Sequence, residues 1–251
     1  MLEVKNISAG YADNAVFDGV SVSFEKGKLT SIVGVNGCGK STLLKAMLGI
    51  LPLFGGKIFV DGNDLGVMKR NEIAGKIAYL SQGKNTPDMT VGQMVLHGRF
   101  PYLSYPRRYR DEDREMAKRA MREVGILHLA HQPLHTLSGG MRQNAYIAMA
   151  LAQDTDYILL DEPTTYLDIA HQLDLMSLLR GLADMGKGVV TVMHDLPLAF
   201  RFSDEIALIA DKSAIIKDTP DRMSVSPILK KTFGVDLARV KGEAPYYYVI
   251  Q

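Results

Sequence analysis

The chain has 251 residues, 47% of them hydrophobic and 23% charged, which is enough for one large domain with a substantial core. Its 29 Lys and Arg against 28 Asp and Glu leave a formal charge of +1, so no overall basic field argues for a nucleic-acid partner. The single cysteine, Cys38, excludes an intramolecular disulfide and suits a reducing compartment; no run of about eighteen apolar residues offers a spanning helix, and the chain reads as soluble and cytoplasmic.

The first 33 residues alternate and turn as antiparallel strands do. Runs at 2–7, 20–24 and 29–33 are punctuated by Gly10, Asp18-Gly19 and Lys26-Gly27. Tyr11 falls in the first turn, where its ring either packs on that turn or stacks on adenine, a contact worth about 1–3 kcal/mol per base in nucleic-acid binders.

The stretch from Gly34 to Thr42, Gly-Val-Asn-Gly-Cys-Gly-Lys-Ser-Thr, follows a β-type run and precedes a helical one, 42–48. That context makes it a phosphate-binding loop. Gly34, Gly37 and Gly39 let the backbone bend and bring successive N–H groups against phosphate oxygens, with Asn36 and Cys38 between them. The helix beginning near Lys40 adds its positive end, Lys40 supplies a point charge for the β- and γ-phosphates, and the Ser41 hydroxyl is placed to ligate magnesium.

Beyond the loop helix, 57–60 and 76–81 read as strands, the second ending at Gln82, where parallel sheets present ligand-facing groups. From about 91 to 152 the periodicity is helical. Within it, 107–115 holds four arginines and four acids, so its charge sums to zero and it reads as a solvated helix start. His128, His131 and His135 are spaced like metal ligands, yet Pro133 breaks any shared helical face and no cysteine or carboxylate joins them.

Ser138, Gly139 and Gly140 open a helix over 141–153, either as a second anion-binding device or as an ordinary capped start. The all-apolar run 157–160 is the mark of a buried parallel strand, and it ends in Asp161-Glu162. Asp161 suits a magnesium ion's hydration shell, and Glu162 suits activation of an attacking water, typically worth about 10²–10⁴-fold. A turn over 163–168 leads to a helix at 169–182. A further β-type run, 188–193, then delivers His194 to its end as the third such polar residue after Gln82 and Glu162. Strands at 205–210 and 214–217 follow, and the tail from Met223 shows no readable role.

With these residues assembled, the chain resembles the ATP-binding subunit of an ABC transporter from Tyr11 to about Asp218. The resemblance implies an α/β fold, a P-loop NTPase (RecA-like) core with an antiparallel β subdomain and a helical subdomain inserted at about 88–155, all in one ABC ATPase domain over 1–251. It makes Tyr11 the adenine-stacking aromatic, 34–42 the Walker A loop, Gln82 the Q-loop residue, 137–143 the signature, and 158–161 Walker B. Glu162 becomes the catalytic glutamate, 166–168 the D-loop with Asp168 beside nucleotide, and His194 the switch histidine. ATP and Mg2+ are the implied cofactors, with Ser41, Gln82 and Asp161 on the metal side.

Met141 stands where the signature usually has Gln, but Ser138 and Gly140 are intact. Tyr166 replaces the usual small D-loop residue, and 162–172 together with 95–102 resemble importers of ferric siderophores, haem and vitamin B12. The implied activity is ATP hydrolysis powering import of a metal chelate, with a ferric siderophore preferred and haem or vitamin B12 as alternatives. The implied assembly is a homodimer bound to integral-membrane permease subunits on the cytoplasmic face, served indirectly by a solute-binding protein and involving no nucleic acid. A docking surface is expected between Gln82 and Tyr105. A chromosome-maintenance ATPase would carry a long coiled coil between Walker A and the signature, and no sustained heptads occur there; a stand-alone ATP-binding regulator remains the rival class.

Overall fold

A sheet of six strands carries the fold, and its central members are buried on both faces. The computed structural model describes residues 1–12, 14–81, 86–165, 167–240 and 246–250. In chain order these form β1 (Leu2–Tyr11), β2 (Asn14–Phe24), β3 (Leu29–Val33), α1 (Lys40–Met47), β4 (Leu53–Val60), β5 (Asn63–Asp64), α2 (Arg70–Ala74) and β6 (Ile77–Leu80). Then come α3 (Val91–His97), α4 (Asp111–Glu123), α5 (Gly139–Ala152), β7 (Tyr157–Asp161), α6 (Ile169–Asp184), β8 (Gly188–Val192) and α7 (Leu196–Phe202). The chain closes with β9 (Glu205–Asp211), β10 (Ala214–Asp218), α8 (Pro220–Ser224), α9 (Pro227–Phe233), β11 (Asp236–Val240) and β12 (Tyr246–Ile250).

The large sheet runs β10-β9-β3-β8-β7-β6, parallel except for the edge strand β10, while β2-β1-β4-β5 forms a separate antiparallel sheet. All five residues of β3, β7 and β8 are buried, as central strands of a parallel sheet covered on both faces are. Successive residues of a strand face opposite sides, so the sheet feeds two cores. Ile32, Leu159, Val190 and Ala207 pack with α1 and the antiparallel sheet. Val33, Ile158, Leu160, Val189 and Met193 pack with α5, α6 and α7 on the other face.

The antiparallel strands are longer than their punctuation suggests. β1 continues to Tyr11 and β2 starts at Asn14, because register shifts between Val4 and Gly10 absorb the irregular residues without ending the pairing. Tyr11 therefore ends a strand instead of sitting in a turn. β4 likewise runs through Gly55-Gly56, with Gly56 at φ 76 where any side chain would meet Asn6 O.

Between β6 and β7 lie α3, α4 and α5. Thr90 and Gln93 close a capping box on α3, and α4 starts with three acids against its positive end. The charged stretch is thus a helix start, yet Asp113 is buried in it. Arg99 Nε donates to Asp113 Oδ1 at 3.0 Å and Arg99 Nη1 to Ala152 O at 3.0 Å, tying α4 and α5 to the segment just after α3. The tail, unreadable from periodicity, folds as α8, α9 and an antiparallel hairpin of β11 with β12.

Candidate functional site

The parallel register decides where the chemistry collects. Ile32 pairs with Val192, and Val192 with Asp161, so the carboxyl ends of β3, β8 and β7 stand level. The phosphate loop leaves β3 at Gly34, His194 lies two residues beyond Val192, and Glu162 follows Asp161 directly. Three stretches far apart in sequence thereby meet at the sheet edge where such folds bind ligands.

The loop's shape depends on its glycines. Gly37 and Gly39 adopt φ 79 and 105, and a side chain on Gly39 would strike Val16 and Phe17 of β2 at 2.5 and 2.7 Å. Gly34 is equally crowded, since an added Cβ would lie 2.6 Å from Cys38 Sγ. Burial pushes the Cys38 thiol up against the opposing pull of Lys40, which keeps it a neutral packing group. Lys40 is nearly buried, its Nζ donating to Gly34 O at 2.9 Å and Val35 O at 3.1 Å. Thr42 is buried behind it, and Asn36 is exposed at the loop tip.

Ser41 Oγ donates to Asp161 Oδ1 at 3.0 Å, and Tyr79 OH to Asp161 Oδ2 at 3.4 Å. Burial raises the Asp161 carboxyl, with the Glu162 charge adding to it and the Ser41 hydrogen bond opposing. A buried carboxylate beside a hydroxyl is a hard-oxygen pair suited to a magnesium ion. Glu162 adopts φ 51, the left-handed region that a non-glycine residue rarely occupies and that clusters at functional sites. Its Oε1 accepts a hydrogen bond from His194 Nε2, and Oε2 accepts from Thr165 Oγ1 at 3.4 Å. Tyr11 is half-exposed; Lys45 Nζ lies 5.7 Å from its ring centroid and donates to its hydroxyl at 3.3 Å.

Ser138, Gly139 and Gly140 are brought elsewhere. Ser138 caps α5 through Met141 N, and a side chain on Gly140 would run into the His171 ring, 2.7 Å from Cδ2. Asp168 caps α6, with Oδ1 accepting from His171 N at 2.9 Å and hydrogen bonded to His171 Nδ1 at 2.8 Å. The signature and D-loop segments therefore share one imidazole. Gln82 and Tyr166 lie outside the described residues. Tyr79, Lys45, Thr165 and His171 escaped sequence reasoning: Tyr79 looks like one more apolar strand residue, Lys45 reaches Tyr11 and His171 reaches Gly140 only when distant elements meet, and Thr165 carries no signal beyond its place in the turn after Glu162.

A family described as ABC transporter matches residues 17–165. The iron(3+)-hydroxamate import ATP-binding protein FhuC of Bacillus subtilis (strain 168) is 40% identical over 94% of this chain and 88% of its own length. The ferric enterobactin transport ATP-binding protein FepC of Escherichia coli (strain K12) is 38% identical over 93% and 87%. A solved transporter in an inward-facing conformation, described as of metal-chelate type, aligns at a TM-score of 0.85 with 28% identity, covering 99% of this chain and 96% of that one.

Proposed function

Because the chain belongs to the ABC transporter family and is an ATPase subunit of an import system, we propose that it powers uptake of a ferric siderophore through a membrane permease. The observation that carries the ATPase chemistry is the meeting of Lys40, Ser41, Asp161, Glu162 and His194 at one sheet edge. The loop N–H groups and Lys40 hold the phosphates of ATP, with Tyr11 and Lys45 beside the base. Glu162 takes the proton of the attacking water, and His194 orients it. Ser41 and Asp161 would hold Mg2+, which neutralises phosphate charge when bound. The cargo class rests on the relatives, whose names specify ferric hydroxamate and ferric enterobactin.

No helix among the described residues is long and apolar enough to cross a membrane. The subunit instead docks peripherally, on the cytoplasmic face. A groove of about 410 Å³ supports this reading, lined by Leu48, Ile50, Arg70, Ile73, Tyr79 and Pro101. Tyr79 touches Asp161, so an occupant of the groove lies one side chain from the site. Ile50 is 63% exposed and Tyr105 96%, apolar surface of the kind interfaces use. Tyr102, by contrast, donates to Gln153 O at 2.7 Å and stacks under Arg99, so changing it would disturb the helical layer. Ile50→Asp is the cleaner probe: the isolated subunit should hydrolyse ATP near normally, yet fail to cosediment with permease-containing membranes and to support iron-chelate uptake. Full uptake by that variant removes the docking site, and normal ferric-siderophore uptake in cells lacking the subunit removes the cargo class.

A further inference from the structure

His194 sits in the middle of the three-residue gap between β8 and α7, and its two sides are held very differently. On the strand side, Met193 N donates to Ile32 O at 3.1 Å, anchoring the backbone to the central sheet. On the helix side, Asp195 caps α7 by accepting from Leu198 N at 2.8 Å. A seven-residue helix has little stability of its own, so its placement follows from what packs on it.

One neighbour of α7 is the C-terminal hairpin. The Tyr247 ring of β12 meets Phe200 of α7 edge-on, with centroids 5.5 Å apart and planes at 65°, and both residues are buried. Tyr247 OH donates to Asp221 Oδ1 of α8 at 2.6 Å, and Arg239 of β11 pairs with Asp221 Oδ2 at 3.1 Å. Burial and the Asp221 carboxylate push the Tyr247 phenol up to about 12, so it remains a donor through the physiological range. Tyr247 thus bridges the hairpin, α8 and α7, with the far end of its side chain fixed by a charge.

We infer that the C-terminal hairpin positions His194 through α7, with Tyr247 as the contact that transmits the constraint. The inference rests on His194 acting in hydrolysis. Tyr247 touches no nucleotide-binding residue described above; it is a positioning residue, and its loss should spare the ground state and affect turnover. It also accounts for the tail, which the phosphate loop, the signature and the permease groove leave without a task.

The test is a double-mutant cycle on the full chain, with ATP affinity measured separately. Tyr247→Ala should lower kcat about threefold or more while leaving KM for ATP within about twofold, and Tyr247→Phe, which keeps the ring on Phe200, should retain most of the turnover. In a His194→Ala background, Tyr247→Ala should lower kcat no further. An equal fractional loss of kcat in both backgrounds, or a rise in KM with kcat unchanged, overturns the inference. If Tyr247→Ala does not fold, Tyr247→Leu goes through the same cycle with the same two outcomes. Full turnover by His194→Ala alone refutes the role given to His194 and the inference with it, a failure visible in that single variant and distinct from loss of coupling.

Discussion

At the scale of single residues, the proposed hydrolysis divides the work of Lys40 and His194 by when charge appears. In that proposal Lys40 meets phosphate charge already present in the bound ground state, whereas His194, hydrogen bonded to Glu162, acts as the reaction proceeds. Lys40→Ala should therefore abolish useful ATP binding, while His194→Ala should bind ATP with near-normal affinity and lose about tenfold or more in kcat. Calorimetry with ATP separates the two, and equal loss of affinity in both variants contradicts the assignment. Much of this was legible in sequence, because glycine, lysine and serine at fixed offsets allow few other chemistries. Tyr79 was not, because its hydroxyl reaches Asp161 only across the β6–β7 pairing.

At the scale of elements, β9 is held in the sheet by charge as well as by its ladder. Glu205 accepts from Lys217 at 2.7 Å, from Lys28 at 3.0 Å and from Thr30 Oγ1 at 3.3 Å, linking β9 to β10 and β3. Burial pushes the Glu205 carboxyl up, but the two lysines outweigh it and hold the group below the usual range. A depressed carboxyl stabilises the fold above its unfolded value, about 4.3, and that stability is lost as pH falls through the lower folded value. Glu205→Gln should cost about 1–3 kcal/mol near neutrality, and its melting temperature should converge on the parent's as pH drops below about 4. A gap that is constant with pH would show that the carboxylate charge contributes nothing. Strand boundaries were the least legible feature at this scale: Gly19, Gly55 and Gly56 look like stops, but bulged pairing carries β2 and β4 through them.

At the scale of the whole molecule, one chain holds one phosphate loop and one signature, and the signature packs on His171 at the head of α6. Cassettes of this family work in pairs with a membrane permease, and the pairing proposed for this chain is between two of its own copies. Glu162→Gln should keep ATP affinity, lower turnover by at least about 10²-fold, and accumulate a homodimer at saturating Mg-ATP, because the general base is lost while the phosphate cradle remains. Light scattering that finds only monomer under those conditions would sink the pairing.

The sequence by itself determined the family: the phosphate loop, the paired acids after a buried strand, His194 after another, and the resemblance to an importer's ATPase all rest on short-range spacing. Side-chain identity at fixed offsets is local information, and local information survives in the primary structure. Only the tertiary structure decided that His194 contacts Glu162, that His171 joins the signature to Asp168, that Tyr102 is tied to Gln153, and that the tail packs on α7. Each of those depends on strand order and helix packing, in which residues tens to hundreds of positions apart become neighbours; no periodicity within a segment encodes which other segment will cover it.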